Sequence, residues 1–250
     1  MTMSETAAGG LIRGPAAYVP RTPWGPVQAL AVGLLIVVLS AGVMLASGLL
    51  SRLAGPGAWR QDPGELAALG IWQLSTVLLT LAVSSLRGGR LPDVLALGAP
   101  AGGPLVYLGA LLAMACLQVF VSLVQYIWFQ HDMYSDLRPF VRLFGDSWLL
   151  ALLVVGVGAP LSEELLFRGF LLSALARSGL GFWGGAVLST ALWTSLHAGY
   201  SAVGIVEVFL IGIFFSWLLW RTGSLRVAIF CHALYNSLIV VVLRYVPLPG

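Results

Sequence analysis

The sequence predicts an all-α, polytopic transmembrane helix bundle of about seven spans (six to eight), with a polar active site inside the bundle. Three observations carry that prediction. The 250-residue chain is 59% hydrophobic and only 9% charged, with a mean hydropathy of +0.94, which excludes soluble and disordered classes. Nearly every long segment stays apolar for about 18 residues or more, enough to cross roughly 30 Å of hydrocarbon at about 1.5 Å per residue. No segment shows the alternating pattern, about ten residues long, of a membrane β-strand.

Taken in order, residues 1–26 are rich in Gly, Ala and Pro and carry Arg13 and Arg21, so a flexible cytoplasmic tail is expected. The first apolar run, about 27–50, is too long for a signal-peptide core, and no cleavable signal is expected. Spans are expected at about 27–50, 65–86, 104–129, 147–176, 181–199, 201–220 and 225–243. Turn-forming clusters separate the early ones: Ala54-Gly55-Pro56-Gly57, Arg87-Gly88-Gly89-Arg90 and Ala101-Gly102-Gly103-Pro104. Residues 130–146 mix Asp132, Asp136, Arg138, Arg142 and Asp146 with Tyr134, Phe140 and Phe144, which suits an amphipathic segment at the membrane interface. The organisation is one continuous membrane domain: N-terminal helices and interfacial segment at 27–146, catalytic core at 147–250. No internal repeat is evident.

The fourth span is interrupted by Pro160. Proline removes a backbone donor and clashes with the preceding turn, so a kink or restart is expected there. A restart would place Glu163 and Glu164 in a first helical turn, where the positive end of the dipole favours carboxylates.

All 13 basic residues are arginines, and they cluster in the short loops where they set topology, so no nucleic-acid partner is expected. An N-in orientation places Arg13, Arg21, Arg87, Arg90, Arg177, Arg221 and Arg226 on the cytoplasmic side, against Arg52, Arg60, Arg138, Arg142 and Arg244 outside. The arginine-only, Ala- and Gly-rich composition points to a multi-pass protein of a bacterial inner membrane. Cys116 and Cys231 fall within expected spans and read as small core residues, not as a disulfide or metal pair.

Three polar islands interrupt the apolar sequence of the second half: Glu163-Glu164-Leu165-Leu166-Phe167-Arg168-Gly169, Trp193-Thr194-Ser195-Leu196-His197 and His232-Ala233-Leu234-Tyr235-Asn236. Ionisable groups at membrane depth are costly and mark functional sites. On a helix, residues four apart share a face, so Glu164 and Arg168 are expected to pair while Glu163 turns toward a cavity. Trp193 with His197, and His232 with Asn236, repeat that spacing. His131 reads as a solvated loop residue. Glu207, the remaining intramembrane acid, is expected to pair with an arginine or hydroxyl inside the bundle, with a contact to a polar substrate left open.

These islands resemble the motifs of the CPBP family of intramembrane endopeptidases, which includes type II CAAX prenyl proteases and bacterial Abi proteins. The resemblance covers about residues 147–243. Its two-glutamate-and-arginine motif is matched by Glu163, Glu164 and Arg168. The aromatic-to-histidine motif is matched by Trp193 and His197, with Trp where Phe is common. The histidine–asparagine motif is matched by His232 and Asn236, preceded by Arg221-Thr222-Gly223-Ser224-Leu225. Residues 1–146 carry no motif of the family, and Glu207 is outside its pattern. The resemblance implies an intramembrane peptidase in which Glu163, aided by His197, activates water, while His232 and Asn236 bind the developing oxyanion. Glu164, Arg168 and Trp193 then support the site. It implies peptide or protein substrates, lipidated or membrane-anchored, and no cofactor. The residues also leave a zinc alternative open, with Glu163, His197 and His232 as ligands, although no HExxH motif is present. A proton-coupled transporter would be expected to show inverted repeats and paired broken helices. A silent scaffold or immunity protein would be expected to have lost part of the motif set.

Overall fold

The computed structural model of the chain describes residues 11–12, 14–53, 61–130 and 135–246. Arg13, Arg60, His131, Asp132 and Tyr134 lie outside them, so the readings placed on those residues are not addressed by the structure. Among the described residues the secondary structure is entirely helical. The elements are α1 (Pro26–Leu53), α2 (Gln61–Ser85), the short α3 (Leu91–Val94), α4 (Leu105–Phe129) and the interfacial α5 (Arg138–Phe144). They continue with α6 (Trp148–Leu175), then α7 (Gly181–Ser195), α8 (Ala202–Thr222) and α9 (Leu225–Tyr245). Six of these, namely α1, α2, α4, α6, α8 and α9, are long and apolar enough to cross a membrane.

The seventh expected span is the one the structure revises. Residues 181–199 contain only the 15-residue α7, about 22 Å long at 1.5 Å per residue and short of the hydrocarbon thickness. Helix ends at Ser195, and a turn through Leu196–Tyr200 leads to Ser201, whose hydroxyl accepts from the Gly204 N–H at 3.0 Å and caps α8.

The fourth span also departs from expectation. The chain does not restart at Pro160. Gly158 has φ −63° and ψ −46°, and the path is helical from Trp148 to Leu175, with two π-helical stretches, Leu152–Gly158 and Glu164–Leu172. In a π-helix the carbonyl of residue i faces the N–H of residue i+5. The Ala159 N–H bonds Val154 O in this pattern. The next carbonyl, Val155, faces Pro160, which has no N–H to give. The wide turns accommodate the proline ring without a break, and the missing donor is replaced from another helix, as described below. Glu163 and Glu164 therefore sit mid-helix and receive no helix-terminal dipole.

α6 is the axis of the bundle. The residues Glu164–Leu175 are all buried, and α1, α2, α7 and α9 pack around this helix. The outward faces of α1, α2 and α4 expose Leu34, Leu35, Val38, Leu74, Leu78, Leu108, Leu112 and Phe120, a surface suited to lipid and untenable in water. Cys231 belongs to the core as expected, whereas Cys116 is exposed on that lipid-facing side; both are free thiols.

Part of the segment expected to be a flexible tail is docked on the bundle. Ala17 and Tyr18 N–H donate to Trp220 O, each at 3.2 Å. Arg221 donates to Leu11 O and Gly14 O at 2.7 and 2.9 Å, and Arg177 donates to Thr22 O. The Tyr18 hydroxyl lies 2.6 Å from Ser173 Oγ, and burial pushes the phenol up to about 12. The bonds to Trp220 O satisfy a free carbonyl at the end of α8, and together these contacts make residues 14–25 a packed strap.

Candidate active site

Glu163 closes the α-helical turn between the two π stretches of α6, and its side chain enters a cavity of about 400 Å³ enclosed by α1, α2, α5, α6, α7, α8 and α9. Trp193 Nε1–H donates to Glu163 Oε2 at 2.7 Å. His232 Nε2 stands 3.9 Å from the same oxygen, beyond a direct hydrogen bond. Glu163 is thus oriented by a neutral donor and left able to accept from a molecule in the cavity.

Glu164 points the other way. Its side chain and that of Arg168 are wholly buried, with Arg168 Nη1 at 3.2 Å from Glu164 Oε1. His232 Nδ1 meets the same oxygen at 2.9 Å. Arg168 also lies 4.3 Å over the Trp193 ring, a cation–π contact that accommodates a guanidinium face with few oxygen partners. One buried chain therefore links Arg168, Glu164 and His232 and fixes the imidazole with Nδ1 toward Glu164 and Nε2 toward Glu163. Phe215 stacks on the other face of His232, 4.5 Å between centroids at 24°.

His197 lies two residues past α7, not inside a span as expected. The i, i+4 relation to Trp193 survives in the turn: the rings meet edge-to-face at 5.0 Å, and His197 Nδ1 is 3.3 Å from Trp193 O. Its ring lines the cavity. On α9, Asn236 lines the same cavity, and its Nδ2 donates to Val155 O at 3.1 Å. That is the carbonyl left without a backbone donor by Pro160. One of the two amide hydrogens is committed there, leaving the other available to a bound group.

The three islands, from α6, α7 with its turn, and α9, thus reach one cavity. Glu163, His197, His232 and Asn236 line it, with Trp193 in its wall and Glu164 and Arg168 behind. The zinc set fits poorly. Among the described residues no three His, Cys, Asp or Glu side chains converge as metal ligands.

Other lining groups carried no sequence signal that spacing could reveal. Tyr235 and Tyr200 border the cavity together with Gln73, Ser162 and Asp136. Asp136 accepts from the Ser201 N–H at 2.7 Å and from the Ser201 hydroxyl at 2.8 Å, tying the interfacial segment to the start of α8. Among the described residues Glu207 pairs with neither an arginine nor a hydroxyl. Gln118 and Gln125 of α4 donate to its two oxygens at 2.6 and 2.7 Å. Gln118 and Gln125 are seven residues apart, two turns along one helix face, a pattern legible in retrospect.

Fold and cavity together define a multi-pass membrane protein with a partly open cavity lined by Glu163, His197, His232 and Asn236. Residues 145–238 match the family model described as Type II CAAX prenyl endopeptidase Rce1-like. An Escherichia coli protein named "Uncharacterized 24.3 kDa protein" is 34% identical over 102 residues, which is 38% of this chain and 47% of that protein. The chain thus spans about half the length of the curated relative it matches. No solved structure matches.

Proposed function

We propose that the chain is an intramembrane endopeptidase that hydrolyses peptide bonds of membrane-associated proteins by a glutamate-activated water. The observation that carries this reading is the pairing on one oxygen. Glu163 Oε2 is held by Trp193 Nε1 and faces His232 Nε2 across 3.9 Å, inside a cavity also lined by His197 and Asn236. A water hydrogen-bonded to Glu163 and His197 gives a proton to the carboxylate as its oxygen attacks the peptide carbonyl carbon. The carbonyl π pair moves onto oxygen, and the second amide hydrogen of Asn236 and the Nε2 edge of His232, when protonated, stabilise the oxyanion. Collapse of the intermediate breaks the C–N bond, and Glu163 passes its proton to the departing amine. The buried Arg168–Glu164–His232 chain keeps the imidazole in place throughout.

The test works without an identified substrate. The full chain in proteoliposomes is incubated with a peptide library drawn from membrane proteins, and new termini are identified by mass spectrometry against the Glu163→Gln variant. Wild-type protein generates new termini, and Glu163→Gln lowers their yield by about 10³-fold, within the range for loss of a general base, with unchanged thermal unfolding. The same termini at similar yield from both proteins would remove Glu163 as the base.

A further inference from the structure

Glu207 is an acid in the cavity that the hydrolytic machinery does not use. It lies on the second turn of α8, half-buried, and lines the same cavity as Glu163. Both its oxygens accept from neutral amides, Gln118 Nε2 and Gln125 Nε2 at 2.6 and 2.7 Å. Both carboxylate oxygens thus accept from uncharged amides, and their remaining lone pairs are available to a further donor. Among the described residues no arginine lines the cavity, whereas Glu163, Glu207 and Asp136 do. Arg168, wholly buried, stands behind Glu164 and serves that charge.

We infer that Glu207 forms a subsite for a cationic group of the substrate, an arginine or lysine side chain close to the scissile bond, and that the cavity selects against a free carboxylate there. The inference rests on reading the cavity as a substrate site. A substrate entering the cavity displaces the water that solvates Glu207, and a guanidinium or ammonium replaces that solvation while an anion cannot. Glu207 and Glu163 line the same cavity, which places the cation close to the bond cut. A CAAX tail, which ends in a free carboxylate within a few residues of its cleavage point, would bring the wrong charge to this subsite.

The test is a binding measurement, independent of turnover. The full chain in neutral phosphatidylcholine nanodiscs is titrated with decylguanidinium, with its uncharged isostere decylurea and with decanoate, followed by calorimetry. Wild-type protein binds decylguanidinium about ten-fold more tightly than decylurea, with decanoate weakest. In Glu207→Gln the preference falls below about three-fold, while Glu207→Asp retains it. Absence of a preference in the wild-type protein overturns the subsite without any variant, and so does an unchanged preference in a folded Glu207→Gln. Cation preference without any peptide cleavage would leave the subsite standing and defeat the protease reading. Cleavage without cation preference would do the reverse.

Discussion

Arg168 and Glu164 are both removed completely from solvent, and a buried ion deprived of its partner retains its desolvation cost with nothing to offset it. Arg168→Ala leaves Glu164 facing only His232, so a loss of about 3–5 kcal/mol in unfolding free energy is expected, with activity falling as His232 loses its fixed orientation. Chemical unfolding in mixed micelles measures the first and peptide cleavage the second. A variant with wild-type stability would show that the pair is dispensable. Glu163 contrasts with its neighbour. It bonds one neutral donor and faces open volume, so Glu163→Gln is expected to spare stability and abolish turnover. The sequence separated these two roles through the four-residue spacing, because an α-helical face repeats at that interval. It could not show that His232 would share Glu164 with Arg168, because that contact joins residues 68 positions apart.

At the scale of elements, α6 and α9 are joined by an exchange of hydrogen bonds. Pro160 deprives Val155 O of a backbone donor, and Asn236 supplies one. Asn236→Leu should therefore destabilise the protein by about 1–3 kcal/mol, the cost of an orphaned carbonyl. In a Pro160→Ala background, where residue 160 again offers an N–H, the same substitution should cost about 1 kcal/mol less; strict additivity in that double-mutant cycle would show the two residues to be uncoupled. The approach of α8 to α6 and α7 depends on Gly212, where an added methyl would meet Arg168 and Trp193 below 3.0 Å. Gly212→Ala is expected to lower stability by about 1–3 kcal/mol through overpacking and to reduce cleavage by displacing Trp193 from Glu163. Unchanged kinetics would place the strain elsewhere. Proline announced an irregular fourth helix, but the outcome, two π stretches and a side-chain donor from α9, depended on a neighbour the local sequence does not contain.

The whole molecule hides a polar chain within an apolar shell. Large hydrophobic side chains on α1, α2 and α4 face outward while Arg168, Glu164 and His232 are inside, the arrangement a bilayer requires. Cys116 and Cys231 report on it directly, one exposed and one wholly buried. In detergent, a small maleimide should modify Cys116 at once and Cys231 only as the bundle unfolds, with the two rates merging above the unfolding transition. Prompt modification of Cys231 in the folded state would contradict the packing of α9 against α4, where its thiol approaches Ala110 O at 3.7 Å.

By itself the sequence determined the apolar surroundings of this protein, its helical class, six of its seven expected spans to within a few residues and the polar residue types that line its cavity. Those properties follow from composition and from periodicity along one helix, which are local quantities. The short α7, the docking of residues 14–25, the continuity of α6 through Pro160 and the glutamine pair on Glu207 were decided by tertiary structure. Each depends on where a buried polar group finds its partner, and in a bundle that partner comes from another helix, because hydrocarbon offers none.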